Sequence, residues 1–136
     1  MTPADLLAAA RDLLERPQGA DVGGWPRAVA LLTRQALENA IDEFWKASTT
    51  TAGLCDCTRK TQLTCLPAYL EPCLARDASY TWAALSSACH YHQYDLAPTA
   101  AELSRWIDST AALLTVISDN TRGATIDTST VSSNAR

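Results

Sequence analysis

Residues 25–46 read WPRAVALLTRQALENAIDEFWK, and this stretch decides the fold class. It holds no glycine, and its single proline, Pro26, stands at the start, where a helix tolerates proline. Apolar residues recur every three or four positions, which places them on one face of an α-helix. The stretch therefore predicts a long amphipathic helix. Its apolar stripe consists of Trp25, Val29, Leu32, Ala36, Ala40 and Phe44, widened by Ala28, Leu37, Ile41 and Trp45.

The other face of this predicted helix carries charges four residues apart. The order acid before base is the more favourable one on a helix, so we expect an ion pair between Asp42 and Lys46. A weaker pair is expected between Arg34 and Glu38. The apolar face takes up more than half of the circumference of the helix, more than one bundle core readily covers. We therefore also expect a homodimer.

Capping signals place the starts of the first and last helices. Thr2, Pro3 and Asp5 supply an N-cap, a first helical residue and an acid in the first turn. This first helix is expected to end before Pro17. Residues 99–102 form a capping box, Thr-Ala-Ala-Glu, which opens the last helix.

The middle of the chain is interrupted by prolines. Pro67 and Pro72 both fall within an apolar pattern of helical spacing. A proline inside a helix costs roughly 3 kcal/mol, so we expect a kinked or two-piece third helix. Asp77 is predicted to cap a fourth helix, which continues to about His92 or Tyr94.

Together these segments predict an all-α protein, an up-and-down bundle of four to five helices in a single domain over residues 1–118. Residues 119–136 are rich in serine and threonine without an apolar period, which predicts a flexible tail. Much of the core is expected to come from the four tryptophans, Trp25, Trp45, Trp82 and Trp106.

Composition excludes several classes of function. Hydrophobic residues make up 47% of the 136 residues, too many for a disordered chain. The 11 basic and 15 acidic residues give a net charge of −4, which disfavours unaided binding to nucleic acid. No window approaches the ~20 apolar residues of a membrane span, and the N-terminus lacks a signal-peptide pattern. We expect a cytoplasmic protein with reduced thiols and no membrane association.

The five cysteines raise the question of a metal site. Cys55, Cys57 and Cys65 are candidate zinc ligands, and a fourth ligand would come from Cys73, Cys89, His90 or His92. A Cys-x-Cys pair with one isolated cysteine lacks the Cys-x-x-Cys spacing of zinc knuckles, and Cys73 and Cys89 lie on apolar stripes. We therefore expect no bound metal and no cofactor.

Two histidines are the candidate catalytic residues. Histidine is the side chain best suited to general base catalysis near neutral pH. His90 and His92 lie two residues apart, so on a helix their side chains point about 200° apart and do not form a simple pair. The alternative interpretation is a partly buried, hydrogen-bonded His92 and a surface His90.

Three features together resemble the HEPN superfamily, the higher eukaryotes and prokaryotes nucleotide-binding domains. They are the stretch Trp25–Glu38, a helical hairpin ending in His-Tyr-His at residues 90–92, and the capped last helix. The resemblance spans roughly residues 3–118. It implies a dimeric helical bundle in which an arginine and a histidine cleave RNA at the dimer interface. It also implies a setting in toxin–antitoxin or host-defence systems.

The catalytic motif is incomplete when it is carried onto this chain. His92 matches the histidine, but the arginine position falls at Leu85 or Ser86, with Ser87 at the following polar position. The nearest upstream arginine, Arg76, lies about four helical turns from His92. A serine offers no cation to a phosphorane-like transition state.

This departure favours a non-catalytic HEPN-like interaction module over an enzyme. Such a module associates with itself or with a partner protein, and binds RNA weakly or not at all. One alternative is an RNase that uses His92, or His90, with a basic residue from elsewhere. A second alternative is a small zinc-binding helical protein.

Overall fold

The computed structural model describes residues 1–16, 24–47, 53–90 and 96–133, with side chains as far as residue 123. Over these ranges the chain forms five α-helices and no β-strand, which confirms the predicted all-α bundle. None of the helices described is long and apolar enough to cross a membrane. The helices are α1 (Pro3–Glu15), α2 (Trp25–Ala47), α3 (Arg59–Cys65), α4 (Pro72–Cys89) and α5 (Ala100–Ser133).

The central element is α2. It packs against α1, α4 and α5, and α1 and α4 each pack against α5 as well. The broad apolar surface of α2 is therefore covered within one chain, and only Leu31 among its large apolar side chains is exposed. The width of the apolar face of α2 is therefore not evidence for a second copy of the chain, although a homodimer stays a prediction. The helix contributes to the core Val29, Ala30, Ala36, Leu37, Ala40, Ile41 and Trp45.

The four tryptophans divide into two pairs. Trp45 and Trp106 are 1% and 8% exposed and belong to the core. Trp25 and Trp82 are partly buried and pack against the edge of the core. Two of the four tryptophans therefore belong to the core as predicted, and the other two lie at its edge.

The predicted helix caps at both ends of the bundle are confirmed. Thr2 Oγ1 accepts the backbone N–H of Asp5 at 3.1 Å, and the Asp5 carboxylate accepts the backbone N–H of Thr2 at 3.1 Å. The same reciprocal arrangement joins Thr99 and Glu102, where Thr99 Oγ1 accepts the Glu102 N–H at 3.1 Å. Each box satisfies backbone donors that have no partner within the helix.

The start of α4 differs from the prediction. Asp77 does not cap a helix but lies exposed within α4, because the helix already begins at Pro72. Proline fits the first helical position, where its missing N–H costs nothing. The Glu71 carboxylate supplies the cap, accepting the N–H groups of Cys73 at 3.1 Å and Leu74 at 3.0 Å.

The predicted interruption near Pro67 is confirmed. The chain leaves α3 at Cys65 and passes through a 3₁₀ turn over Leu66–Ala68 before α4 begins. Cys73, which the apolar pattern assigned to a buried stripe, is exposed at the start of α4. The apolar pattern gave the wrong prediction for Cys73 because it combined residues of α3, the 3₁₀ turn and α4, which are separate elements.

One of the two predicted ion pairs on α2 is replaced by a tertiary one. Arg34 Nε and Glu38 Oε1 are 3.1 Å apart, as expected. Asp42 pairs at 2.7 Å with Arg59 Nη1 on α3 rather than with Lys46. The same Arg59 nitrogen donates to Gln62 Oε1 at 2.8 Å, so Arg59 is held in a partly buried network.

The last helix is longer than predicted. Its backbone continues through Ser133, over much of the segment whose composition predicts a tail without secondary structure. Among the side chains of α5 described, which end at residue 123, the last buried one is Ile117, and residues 118–123 are exposed. Thr121 Oγ1 donates to the Ile117 carbonyl at 2.9 Å, a bond through which a threonine hydroxyl is accommodated within a helix. The flexibility of residues 119–136 stays a prediction.

Candidate functional site at the α2–α4 seam

Leu85 and Ser86, the arginine positions of the HEPN resemblance, lie in the C-terminal half of α4, between two residues, Trp82 and Cys89, that contact α2. We call the contact between α2 and this half of α4 the α2–α4 seam. Its polar contacts join Arg27 of α2 to Cys89 of α4, and Arg34 and Glu38 of α2 to Trp82 of α4.

A cluster of three side chains, Arg34, Glu38 and Trp82, links α2 to α4 in one part of the seam. Glu38 Oε1 accepts two hydrogen bonds of 3.1 Å, one from Arg34 Nε on its own helix and one from Trp82 Nε1 on α4. The Arg34 guanidinium carbon also lies 5.9 Å from the centre of the Trp82 ring, within the range of a cation–π contact. The positive charge of Arg34 is thus engaged by a carboxylate and an indole of the protein itself.

The arginine position of the resemblance is filled by side chains without charge. Leu85 is fully buried in the core, at 0% exposed. Ser86 turns its Oγ inward, where it is buried and has no hydrogen-bond partner among the described residues. Neither residue offers a cation, and a charged side chain at position 85 would have to be buried in the core.

The histidine segment does not continue α4. The helix ends at Cys89, and His90 is its C-cap, with extended backbone angles of φ −83° and ψ 121°. The prediction that this helix reaches His92 or Tyr94 is therefore wrong, and the predicted angle of about 200° between the two histidines falls outside the described residues. His90 is exposed. His92 lies outside the described residues.

A basic residue that the sequence did not place here lies beside this segment. Arg27 Nη2, at the start of α2, donates a hydrogen bond of 3.0 Å to the carbonyl oxygen of Cys89. The last carbonyls of a helix have no partner within it, and a basic side chain satisfies them while interacting favourably with the helix dipole. No local pattern could have indicated this contact, since it joins residues 62 positions apart.

The candidate zinc ligands are not brought together. Cys55 and Cys57 are exposed, whereas Cys65 packs partly buried against the core. The described parts of the chain contain no group of three or more His, Cys, Asp or Glu side chains that could hold a metal ion. Cys55, Cys57 and Cys65 therefore do not lie together as one group of ligands in this structure, and the absence of a bound metal stays a prediction.

A separate surface groove of about 480 Å³ lies between the N-terminus of α1 and the last described turns of α5. Its lining mixes hydroxyl groups, both signs of charge and apolar carbon, and contains none of the candidate catalytic or metal-binding residues. It is lined by Thr2, Pro3, Ala4, Glu43, Leu114, Thr115, Ser118, Asp119 and Arg122.

Comparison of the chain with models of protein families, with curated proteins and with solved structures gives no match. The HEPN resemblance accordingly rests on the sequence pattern alone.

Proposed function

We propose that this chain is a non-catalytic HEPN-like helical module that acts by associating with a second copy of itself. The observation that carries the proposal is the burial of Leu85 and of Ser86 Oγ at the place where the resemblance requires an arginine. On the basis of the HEPN resemblance, we also propose that the protein belongs to a toxin–antitoxin or defence system.

Electrostatics support the non-catalytic part. Phosphodiester cleavage develops negative charge in the transition state, and removal of one stabilising donor from an active site typically costs about 10²–10³ in rate. In the seam, Arg34 is engaged by Glu38 and Trp82, and Arg27 by the Cys89 carbonyl. The net charge of −4 also disfavours the approach of RNA.

The exposed apolar side chains on the outer surfaces of the two seam helices support the association part. Leu31 of α2 is 57% exposed, and Tyr80 of α4 is 68% exposed. Large apolar side chains, and tyrosine in particular, are common anchors in protein interfaces. Either side chain would gain from coverage by a second chain, and a partner protein is the alternative occupant.

Light scattering coupled to size-exclusion chromatography tests the association. We expect wild type at micromolar concentration to give twice the chain mass of 14.6 kDa. Leu31→Ser should shift it toward the monomer, whereas Leu96→Ser, at a 97% exposed position outside the helices, should not. A wild-type mass of one chain at every concentration would contradict self-association.

One observation favours an RNase as a second candidate. The guanidinium of Arg27 reaches the residue before His90, so a basic group from another helix does lie next to the histidine segment. In this alternative, Arg27 would leave its carbonyl acceptor and bind the phosphate while His92 or His90 acts as the base. The alternative requires that Arg27→Ala and one of the two histidine variants, His92→Ala or His90→Ala, lose RNA cleavage.

A further inference from the structure

A pair of thiols stands apart from the candidate site. Cys55 and Cys57 are both exposed, with a single residue between them, in and immediately after the 3₁₀ turn Leu54–Asp56. Cys65 and Cys89 are partly buried, and Cys73 is exposed in a different element, at the start of α4. Residues two apart in a 3₁₀ turn have α-carbons about 5 Å apart, within the range that a disulfide spans.

We infer that Cys55 and Cys57 form a reversible disulfide by exchange with a low-molecular-weight disulfide, which makes the turn a redox-sensitive modification site. In the first step, the thiolate of one cysteine attacks the small disulfide, forming a mixed disulfide and releasing one small thiol. In the second, the other cysteine attacks the protein sulfur of that bond and releases the second small thiol. The protein loses two protons and two electrons, and the small disulfide gains them as it becomes two thiols.

The geometry of the turn makes this disulfide easy to reduce. Side chains two residues apart in a 3₁₀ turn diverge, so the turn must open before the two sulfurs can bond. The Cys57 thiol also donates to the Gly53 carbonyl at 3.3 Å, and oxidation removes that donor. Strained and exposed disulfides are the labile ones, which suits a switch better than a permanent crosslink.

A buried network connects the turn to the central helix. Gln62, only 2% exposed, donates through Nε2 to the carbonyls of Leu54 at 2.8 Å and Cys55 at 3.4 Å. Its Oε1 accepts from Arg59, which pairs with Asp42 of α2. Opening of the turn therefore disturbs the hydrogen bonds of a buried amide, and oxidation should weaken the packing of this segment on α2.

The test is incubation of the full chain with oxidised glutathione, followed by alkylation of free thiols and mass spectrometry of the peptide that contains both cysteines. Wild type and the matched control Cys73→Ser should give a Cys55–Cys57 peptide that is lighter by two hydrogens and carries no adduct. Cys55→Ser and Cys57→Ser should instead accumulate a glutathione adduct on the remaining cysteine.

Thermal unfolding supplies a second readout. Oxidation of the pair should lower the Tm of wild type by about 4 °C, a shift typical of the loss of roughly one hydrogen bond, and dithiothreitol should restore it. Adducts on both Cys55 and Cys57 of wild type, without the ring-closed peptide, would overturn the proposal. A closed disulfide that leaves the Tm unchanged would overturn the proposed coupling to α2.

Discussion

Arg27 and Cys89 are joined by a hydrogen bond of 3.0 Å, although one lies at the start of α2 and the other at the end of α4. The guanidinium donates to a carbonyl that has no donor within the helix, as is true of the last carbonyls of any α-helix. Its positive charge also interacts favourably with the negative end of the helix dipole. The contact therefore ties the last residue of α4 to the start of α2.

Loss of this contact should destabilise the end of α4. We expect Arg27→Ala to lower the free energy of unfolding by about 1 kcal/mol, the size of a typical hydrogen bond, because solvent screens the charge of this exposed donor. Urea denaturation measures the change, with Arg105→Ala on the exposed face of α5 as the matched control. An equal, small effect of both substitutions would show that the Arg27 contact contributes nothing.

Glu38 should matter more than an ordinary surface carboxylate. Glu38→Ala removes the acceptor of both Arg34 and Trp82, and we expect a loss of about 1–3 kcal/mol, since a half-buried indole N–H and guanidinium lose their partner. Glu43→Ala, on an exposed part of the same helix, is the control and should change stability by less than about 0.5 kcal/mol. Denaturant unfolding followed by tryptophan fluorescence measures both variants, and similar losses would contradict the role of Glu38 in joining α2 to α4.

The caps of α1 and α4 predict a loss of stability in acid. The backbone N–H of Thr2 and then its side chain lower the pKa of the Asp5 carboxyl, and the backbone N–H groups of Cys73 and Leu74 lower the pKa of Glu71. Both pKa values are lower in the folded than in the unfolded chain. The stability that the two ionised carboxylates contribute is therefore fully present at a pH above the pKa values of the unfolded chain. It is lost as pH falls through the folded values, below about pH 4.

A charge-removing variant isolates this effect. We expect Glu71→Gln to have a lower Tm than wild type at pH 7, and the difference to shrink toward pH 2 as the wild-type carboxylate becomes protonated. Glu15→Gln, at the exposed end of α1, is the control and should show no such convergence. A difference between Glu71→Gln and wild type that stays constant from pH 7 to pH 2 would contradict a contribution from the ionised cap.

Local signals allowed the sequence to predict the helices and two capping boxes, since each depends on residues within four positions of one another. The same reasoning placed the cap of α4 at Asp77, a preferred cap residue type, whereas in the structure the less usual Glu71 caps the helix before Pro72. Local signals could not predict contacts between segments that are far apart in the sequence. Asp42 had a favourable partner in Lys46 on its own helix, and only the folded chain shows that Arg59 takes that place.

The candidate site was less predictable than the fold for the same reason. The lack of an arginine near Ser86 could be read directly, because it concerns residue identity. The end of α4 at Cys89 and the proximity of Arg27 depend on how two helices pack, and no spacing rule connects residues 62 positions apart.

The most direct test of the non-catalytic proposal is an RNA cleavage assay. Wild type, His92→Ala and Arg27→Ala are incubated with a mixed RNA pool at neutral pH. A lone histidine supplies on the order of 10²–10⁴ in rate, and the larger contribution from charge stabilisation is absent from Leu85 and Ser86. We expect no cleavage above the buffer control from any of the three proteins. Cleavage by wild type that is lost in both His92→Ala and Arg27→Ala would contradict the non-catalytic proposal and establish Arg27 as the missing cation.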